Sequence, residues 1–289
     1  MQAFSHASVI EFAGKIALQL GKIDGVIAVV LGGSWARGAG TPNSDIDLGI
    51  YYDPAAPPSL DALRALGAKL DDSHSGDVVT NFGDWGPWIN GGGWLTIEGQ
   101  RVDWIYRDYP KVSSFIERNL AGKTQAYYQT GHPHAFQEHV YMGEVSYCIS
   151  LYDPVGKLAA LKALTVPYPP ALRDTIIHYN LWEAGFCVDI CRKSAARGDV
   201  FHVTGCMFRC VACLVQVIFA LNGQYWINEK GSVKSAAGFA LSPVDFEARV
   251  NSILGELRQS GDSLLSKVEQ ANVLVIECGE LVSRFNDQK

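Results

Sequence analysis

An apolar segment near the N-terminus of the 289-residue chain runs directly into a glycine-rich turn. Residues 26–31 are mostly β-branched and lie between Gly25 and Gly32, which predicts a short buried strand. Gly32 and Gly33 let the backbone turn sharply and leave its amide groups open to an anion. Ser34 adds a hydroxyl group and begins a short predicted helix, whose N-terminus carries partial positive charge. This corner suits a ligand that contains phosphate.

Two carboxylates follow the turn, separated by one residue. Asp45 and Asp47 flank Ile46, and residues 46–51 have the character of a strand. Alternate residues of a strand share a face, so we expect both carboxylates to point the same way while Ile46 and Leu48 face the core. Neighbouring carboxylates repel each other unless a cation lies between them. Mg²⁺ binds carboxylates together with phosphate oxygens, so one or two Mg²⁺ ions bridging this pair and a triphosphate account for the pattern.

A third aspartate, Asp103, lies in a later apolar segment. Val102, Trp104 and Tyr106 alternate with Asp103 and Ile105, which predicts another strand. An aspartate within an apolar strand is costly unless it is paired or liganded, although it can also cap a loop. If this strand lies beside the one carrying Asp45 and Asp47, three carboxylates converge and can hold two metal ions about 4 Å apart.

Together these motifs resemble the nucleotidyltransferase superfamily of the DNA polymerase β type. Ser-Trp-Ala-Arg-Gly at 34–38 and Ser-Asp-Ile-Asp-Leu at 44–48 are most similar to its small bacterial members, such as the aminoglycoside and lincosamide nucleotidyltransferases. These specific motifs lie within residues 1–110. Residues 151–154 and 219–230 show a weaker similarity to bacterial nucleotidyltransferases that have a helical second domain.

The resemblance implies roles for individual residues. Ser34 would contact the terminal phosphates, and Asp45 and Asp47 would bind metal. Asp103 would bind metal and act as the base for the acceptor hydroxyl. Family members differ in where that base comes from, so Glu144 is a second candidate for it.

Other residues near the motifs are candidates for nucleotide binding. Gly33 forms the turn, and Ser44 directly precedes the carboxylates. Arg37 would steady a phosphate, or it is a surface residue in an ordinary salt bridge. Lys230 would neutralise the triphosphate from the second domain, or it is a surface lysine.

A glycine-rich loop with several aromatic residues supplies candidates for acceptor binding. Asp84 and Trp85 lie in Phe-Gly-Asp-Trp-Gly-Pro-Trp at 82–88, and such a loop beside a metal site can stack on a ring or a sugar. The alternative is that these aromatic residues close the end of a small sheet, which we favour for Trp94.

Histidines and cysteines in the second half raise the question of a zinc site. His202, Cys206, Cys210 and Cys213 follow helical spacing, whereas zinc ligands usually come from short Cys-x-x-Cys turns. Their apolar neighbours predict a buried helix in which cysteine is a small filler. The Gly-His-Pro-His segment at 131–134 is predicted to be a loop, with acceptor binding by its two rings as the alternative.

The composition of the chain indicates which binding partners and which cellular location to expect. The net charge is −6, and no run of lysine or arginine appears, which argues against long nucleic acids and suits a cationic small molecule. The seven cysteines have no disulfide-framework spacing and favour a reducing cytoplasm. No segment resembles a signal peptide, and the apolar stretch at 211–221 is too short to span a bilayer. We therefore expect a cytoplasmic protein with no membrane partner.

The layout predicts an α+β fold of two domains. Residues 1–109 would form a nucleotidyltransferase domain, a small mixed β-sheet flanked by helices, and residues 110–289 a helical bundle that binds the acceptor. The strands are expected at 26–31, 46–52, 78–82, 94–98 and 101–106. Helices are expected at 9–20, 60–70, 111–120, 155–164, 171–196, 202–222, 243–259 and 262–285.

The expected activity is Mg²⁺-dependent transfer of a nucleoside monophosphate, AMP from ATP in the first instance, to a hydroxyl of a small molecule. ATP or another nucleoside triphosphate and the acceptor are the expected partners. A homodimer is compatible with the resemblance. The alternatives are a toxin-like transferase acting on protein or tRNA, and a catalytically silent nucleotide-binding regulator.

Overall fold

The computed structural model describes residues 5–287 and divides them into two compact units. The first unit comprises residues up to 118 together with 127–131 and 141–167, and the second comprises 119–126, 132–140 and residues from 168 onward. This division differs from the predicted border at residue 109, because residues 110–118, 127–131 and 141–167 group with the first unit.

The first unit is an α/β assembly around one sheet. Its elements before residue 109 are α1 (His6–Leu20), β1 (Val26–Leu31), α2 (Gly33–Ala36), β2 (Ile46–Tyr52), α3 (Leu60–Leu70), β3 (Gly92–Ile97) and β4 (Gln100–Asp108). The elements that follow are α4 (Tyr109–Leu120), β5 (Ala126–Tyr127), β6 (Phe136–Gln137), α5 (His139–Tyr147), β7 (Ile149–Tyr152) and α6 (Lys157–Ala163). Some residues of α4, α5 and β5, and all of β6, belong to the second unit.

The sheet has five strands in the order β3-β4-β2-β1-β7. β2 and β4 are parallel, whereas β1 is antiparallel to β2 and β7, and β3 is antiparallel to β4. The fold class predicted from the sequence, a mixed sheet with helices followed by a helical region, is confirmed.

One face of the sheet forms the hydrophobic core. Leu31, Leu48 and Trp104 are fully buried there with the apolar side of α1 and with Leu63 of α3. Because side chains alternate along a strand, Asp47 and Asp103 belong to the opposite face. The predicted separation of apolar and acidic residues on β2 and β4 is confirmed.

The second unit is built mainly from helices. They are α7 (Pro170–Ala196), α8 (Val200–Leu221), α9 (Ser232–Ala237), α10 (Phe246–Gly255) and α11 (Gly261–Asp287). α8 packs against α7 and α11, and Cys206, Cys210 and Cys213 on α8 are buried free cysteines. The predicted buried helix is confirmed.

The apolar part of α8 extends beyond the predicted stretch at 211–221. The helix has 22 residues and a mean hydropathy of 1.9 over its most apolar window, enough by length and composition to cross a membrane. Within the structure, however, 78% of that window is buried. This burial is typical of the central helix of a bundle, and composition alone therefore says little about a membrane.

The predicted strand at 78–82 is wrong. Residues Gly76–Val78 form a 3₁₀ turn, and Val79 makes an isolated β-bridge to Gly93. The Ser75 hydroxyl accepts a hydrogen bond from the Asp77 amide and starts this turn. The Asp84 carboxylate accepts from the Asn81 amide, so local polar side chains hold the segment in turns.

Candidate active site

The turn after β1 is packed against the second predicted carboxylate. The Gly32 amide donates a 2.8 Å hydrogen bond to the Asp47 carbonyl, which ties the turn to β2. Gly33 has a φ of +59°, and a Cβ there would lie 1.7 Å from Asp47 Oδ2. Only glycine fits this position, because both the backbone conformation and the carboxylate exclude a side chain. The turn and Asp47 therefore form one local unit, with Ser34 half-buried in the following helix.

Asp47 and Asp103 lie at matching positions on neighbouring strands. In the parallel pairing of β2 and β4, Asp47 is the register partner of Asp103. Neighbouring strands are about 4.8 Å apart, and both residues share the sheet face opposite the core. The condition for the three carboxylates to converge, that these two strands are neighbours, is therefore met. Asp45 directly precedes β2, so all three aspartates lie towards the N-terminal ends of β2 and β4. The Asp45 residue is half-buried.

Arg101 neutralises Asp45, a contact that sequence reasoning missed. Asp45 Oδ1 lies 2.6 Å from Arg101 Nε, and Arg101 Nη2 donates to the Asn43 carbonyl at 2.9 Å. The two side chains are 39% and 66% exposed, so solvent screens the pair and it contributes little stability. A weak, exposed pair of this kind can give way to a metal ion at the same carboxylate.

The loop between α2 and β2 is held by a buried tryptophan. Trp35 is 4% exposed, and its indole Nε1 donates to the Ser44 carbonyl at 3.4 Å. The Ser44 hydroxyl accepts from the Thr41 amide at 3.0 Å, so this candidate for nucleotide binding has a structural partner. Arg37 is exposed, and its Nε donates to the Gly33 carbonyl at 3.2 Å. The structure thus places Arg37 at the turn.

Two stacked tryptophans lie on the other side of Asp103. Trp94 is the antiparallel register partner of Asp103, and Trp85 stacks on it with centroids 4.5 Å apart and an angle of 20° between the rings. Trp94 remains 64% exposed. Directly paired residues share a face of a sheet, so this aromatic pair borders the carboxylates. Asp84 is exposed and accepts hydrogen bonds from the backbone and side chain of Asn81, which gives it a turn-forming role.

The second candidate for the base, Glu144, forms a paired salt bridge with Arg107. Arg107 Nη2 and Nε lie 2.7 and 2.8 Å from the two carboxylate oxygens of Glu144. Arg107 is 5% exposed; burial by itself would lower its pKa, but Glu144 holds the pKa above its ordinary value. Arg107 lies four residues beyond Asp103 on β4, about 13 Å along the strand. The structure thus gives Glu144 a structural partner away from Asp103.

Lys230 lies in the second unit, in the segment between α8 and α9. Its side chain is exposed, and its backbone amide donates to Asn228 Oδ1 at 3.0 Å. Its suggested contact with a triphosphate stays a prediction.

Comparisons with known proteins find a nucleotidyltransferase-domain match in the N-terminal part of the chain. Residues 14–83 match the sequence model of a nucleotidyltransferase domain, and residues 140–230 match a domain of unknown function, DUF4037. The first match includes Gly33, Asp45 and Asp47, whereas Asp103 lies outside it. No curated protein matches the sequence significantly.

Several solved structures also match. One is a nucleotidyltransferase-like protein from Exiguobacterium sibiricum 255-15, which is 11% identical in sequence with a TM-score of 0.43. The match covers 97% of this chain and 80% of that one.

The match over residues 14–83 confirms the predicted enzyme class, a transferase. Domains of this type generally use divalent metal ions and a nucleoside triphosphate.

Proposed function

We propose that this protein transfers AMP from ATP to a hydroxyl group of a small molecule and releases pyrophosphate. The observation that carries the proposal is the register of Asp47 and Asp103 beside the Gly32–Gly33 turn. This arrangement combines carboxylates for metal binding with open backbone amides for phosphates.

Asp45, Asp47 and Asp103 are proposed to hold one or two Mg²⁺ ions. Their donor set fits this ion, because Mg²⁺ prefers carboxylate oxygens and shares its coordination sphere with substrate phosphates. When bound, Mg²⁺ supplies positive charge that neutralises the phosphates and the leaving pyrophosphate. Arg101 covers one of these carboxylates in the structure and must release it when the ion binds.

The chain's own residues position the reactants. The amides of the turn and the Ser34 hydroxyl would hold the terminal phosphates, with Arg37 and Ser44 close to the same turn. The acceptor oxygen forms a bond to the α-phosphorus as the bond from that phosphorus to the bridging oxygen breaks. The proton of the acceptor hydroxyl passes to Asp103, and pyrophosphate leaves. Most of the rate then comes from positioning and charge neutralisation.

The acceptor is proposed to bind on the β3 side of Asp103. In the sheet order, the phosphate-binding turn belongs to β1 and β2, while Trp94 lies on β3 at the other side of β4. An exposed pair of stacked rings can bind the apolar face of a sugar or another ring. The net charge of −6 favours a cationic acceptor, and an aminoglycoside-like compound combines both properties.

The proposal is tested by measuring pyrophosphate release with Mg²⁺ and each of the four common nucleoside triphosphates. The acceptors are a panel of aminoglycosides, lincosamides and simple polyols, with Asp45→Asn as the inactive variant. Asp53→Asn is the matched control, since Asp53 accepts a hydrogen bond from the Ala55 amide in a turn after β2. We expect acceptor-dependent release that is lost only in Asp45→Asn.

Other outcomes would replace the proposal. Release with protein or tRNA but with no small alcohol would identify a macromolecule-modifying transferase. ATP binding without release under any acceptor would identify a nucleotide-binding regulator. A cytoplasmic location and a homodimer belong to the same proposal, and sedimentation of the purified protein tests the dimer.

A further inference from the structure

A second group of metal-ligating side chains lies within the helical unit. His134 comes from the loop before β6, Glu183 from α7 and Cys213 from α8. One ligand atom from each of the three lies within 4.8 Å of the others, and His134 Nε2 is 3.9 Å from Cys213 Sγ. We propose that His134, Glu183 and Cys213 bind a single Zn²⁺ ion that fastens the 132–135 loop to α7 and α8.

The surroundings of His134 favour this role. The Gln216 amide Nε2 lies 3.4 Å from His134 Nδ1, and Gln216 is only 1% exposed. Among the described residues, Gln216 Oε1 has no hydrogen-bond partner although it is buried. A half-turn of the amide exchanges its oxygen and nitrogen, and Oε1 then accepts a hydrogen bond from Nδ1–H.

This hydrogen bond fixes the tautomer of the imidazole. With the proton on Nδ1, the lone pair of His134 is on Nε2, the atom that faces Cys213. Metal-binding histidines commonly donate their second ring N–H to a buried acceptor in this way. The backbone amide of His134 also donates to Glu229 Oε1 at 2.9 Å, which holds the loop in place.

The chemistry of the three side chains selects the ion. A thiolate, an imidazole and a carboxylate suit Zn²⁺, whereas Mg²⁺ prefers oxygen ligands alone. Burial lowers the pKa of His134, which keeps the ring neutral and able to bind metal. Burial also raises the pKa of Cys213.

Glu183 has a second partner that orients it. Arg209 forms an ion pair with the Glu183 carboxylate, through Arg209 Nε and Glu183 Oε1. One carboxylate has two oxygens and several lone pairs, so Arg209 and a metal ion can bind it together. The three protein ligands leave the fourth tetrahedral position for water.

The test uses Co²⁺ as a spectroscopic probe together with direct metal analysis. A cysteine thiolate bound to Co²⁺ gives a charge-transfer absorption band that the carboxylates of the candidate active site do not give. After chelator treatment has removed the bound metal, we expect one equivalent of Co²⁺ to produce this band, Zn²⁺ to remove it by competition, and excess Mg²⁺ to leave it unchanged. The purified 289-residue chain should contain about one zinc per molecule when it is prepared without chelators.

Variants assign the ligands. We expect Cys213→Ala to lose the band and His134→Ala to weaken Co²⁺ binding by at least about 100-fold, while Gln216→Leu weakens it about 10- to 100-fold. Cys210→Ala is the matched control, because Cys210 is an equally buried cysteine on the same helix. Circular dichroism of each variant shows that it has folded, and Cys213→Ser replaces Cys213→Ala if that variant does not.

Any one of three results would overturn the proposal. The first is the absence of the thiolate band when micromolar Co²⁺ is added to the metal-free wild-type chain, and the second is its persistence in a folded Cys213 variant. Loss of the band in Cys210→Ala would assign the thiolate to a different cysteine and would overturn it as well. The result does not depend on nucleotidyl transfer, since all the residues tested lie in the second unit.

Discussion

Asp47 and Asp103 are register partners on the parallel strands β2 and β4, so their side chains leave the same face of the sheet at the same level. Both strands carry an apolar residue on each side of the aspartate, and these residues are buried in the core. Slipping either strand by one residue would turn its carboxylate into the core and is strongly opposed. The hydrophobic pattern thus holds the two carboxylates together before any ligand binds.

Removing either charge should stop the reaction without unfolding the chain. We expect Asp47→Asn and Asp103→Asn each to lower pyrophosphate release by at least about 100-fold, because bound metal contributes several kcal/mol to the transition state. Asp108→Asn, at the end of the same strand, should stay near wild type. Asp108 Oδ1 accepts from the Lys111 amide at 2.9 Å, a role that asparagine also fills. Near-normal turnover in both site variants would refute the metal assignment.

Gly33 should tolerate alanine much less well than Gly38. Both have a positive φ, +59° and +69°, but a Cβ at Gly38 meets no atom within 4 Å. Gly38→Ala should cost about 1–2 kcal/mol from backbone strain, and Gly33→Ala about 1–3 kcal/mol more from the clash with Asp47. Urea denaturation measures both. Adding Asp47→Ala to Gly33→Ala should recover stability, and a double variant no more stable than Gly33→Ala would show that the carboxylate is not the cause.

The Arg107–Glu144 pair should stabilise the fold and contribute little to turnover. Glu144→Gln leaves a 5% exposed guanidinium without a charged partner, so we expect the free energy of unfolding to fall by about 3 kcal/mol. The control is Glu269→Gln, which breaks the exposed pair with Arg192 and should cost less than about 1 kcal/mol. Turnover of folded Glu144→Gln should stay within about 10-fold of wild type. A 100-fold loss of kcat without a loss of stability would instead make Glu144 the base.

The stacked tryptophans should affect the acceptor and leave ATP binding unchanged. Trp94→Ala removes the exposed ring beside Asp103, and losing one stacking contact of about 1 kcal/mol should raise the KM of a ring-containing acceptor several-fold. Trp182→Ala is the control, since Trp182 is 65% exposed and stacks on Phe186 in the second unit. Steady-state kinetics with each active acceptor measures the effect. An equal rise in the KM of ATP would place the nucleotide on this surface.

His139 should make stability depend on pH. It is 2% exposed, and burial lowers its pKa to about 3, whereas in the unfolded chain it titrates near 6.5. Between these two pKa values the unfolded chain binds one more proton than the folded chain. The contribution of His139 to the free energy of unfolding is therefore fully present above about pH 6.5. It falls by about 1.4 kcal/mol for each pH unit below that value. Urea denaturation from pH 7 to 4 should show this slope in wild type and in the exposed-site control His178→Gln, but not in His139→Gln. Equal slopes in wild type and His139→Gln would contradict the assignment.

The local parts of the candidate site could be predicted from sequence, because they depend on neighbouring residues. The strand before Gly32, the turn itself and the alternation around Asp47 all follow from backbone rules over a few residues. The pairing of Asp103 with Asp47 was a conditional expectation, since contacts between distant segments decide which strands become neighbours. The structure supplied that condition.

A tight turn between β3 and β4 fixes the position of Trp94 opposite Asp103. Glu98 and Gly99 both have positive φ and form a two-residue hairpin turn between β3 and β4. Such a turn pairs Ile97 with Gln100 and therefore Trp94 with Asp103. The Arg101–Asp45 contact had no comparable signal, because it depends on how a long side chain reaches across to a loop.

β7 was missed because its four residues, 149–152, are too few to show a pattern, and it is a strand only through its pairing with β1.

The late position of β7 in the chain matters during synthesis. At about 5–20 residues per second, β7 leaves the ribosome about 6–24 s after β1. Until then the edge of β1 that β7 will cover is open to pairing with another nascent chain. Rapid translation of residues 53–148 therefore shortens the period in which this protein can aggregate, and a chain cut at residue 109 keeps that open edge permanently.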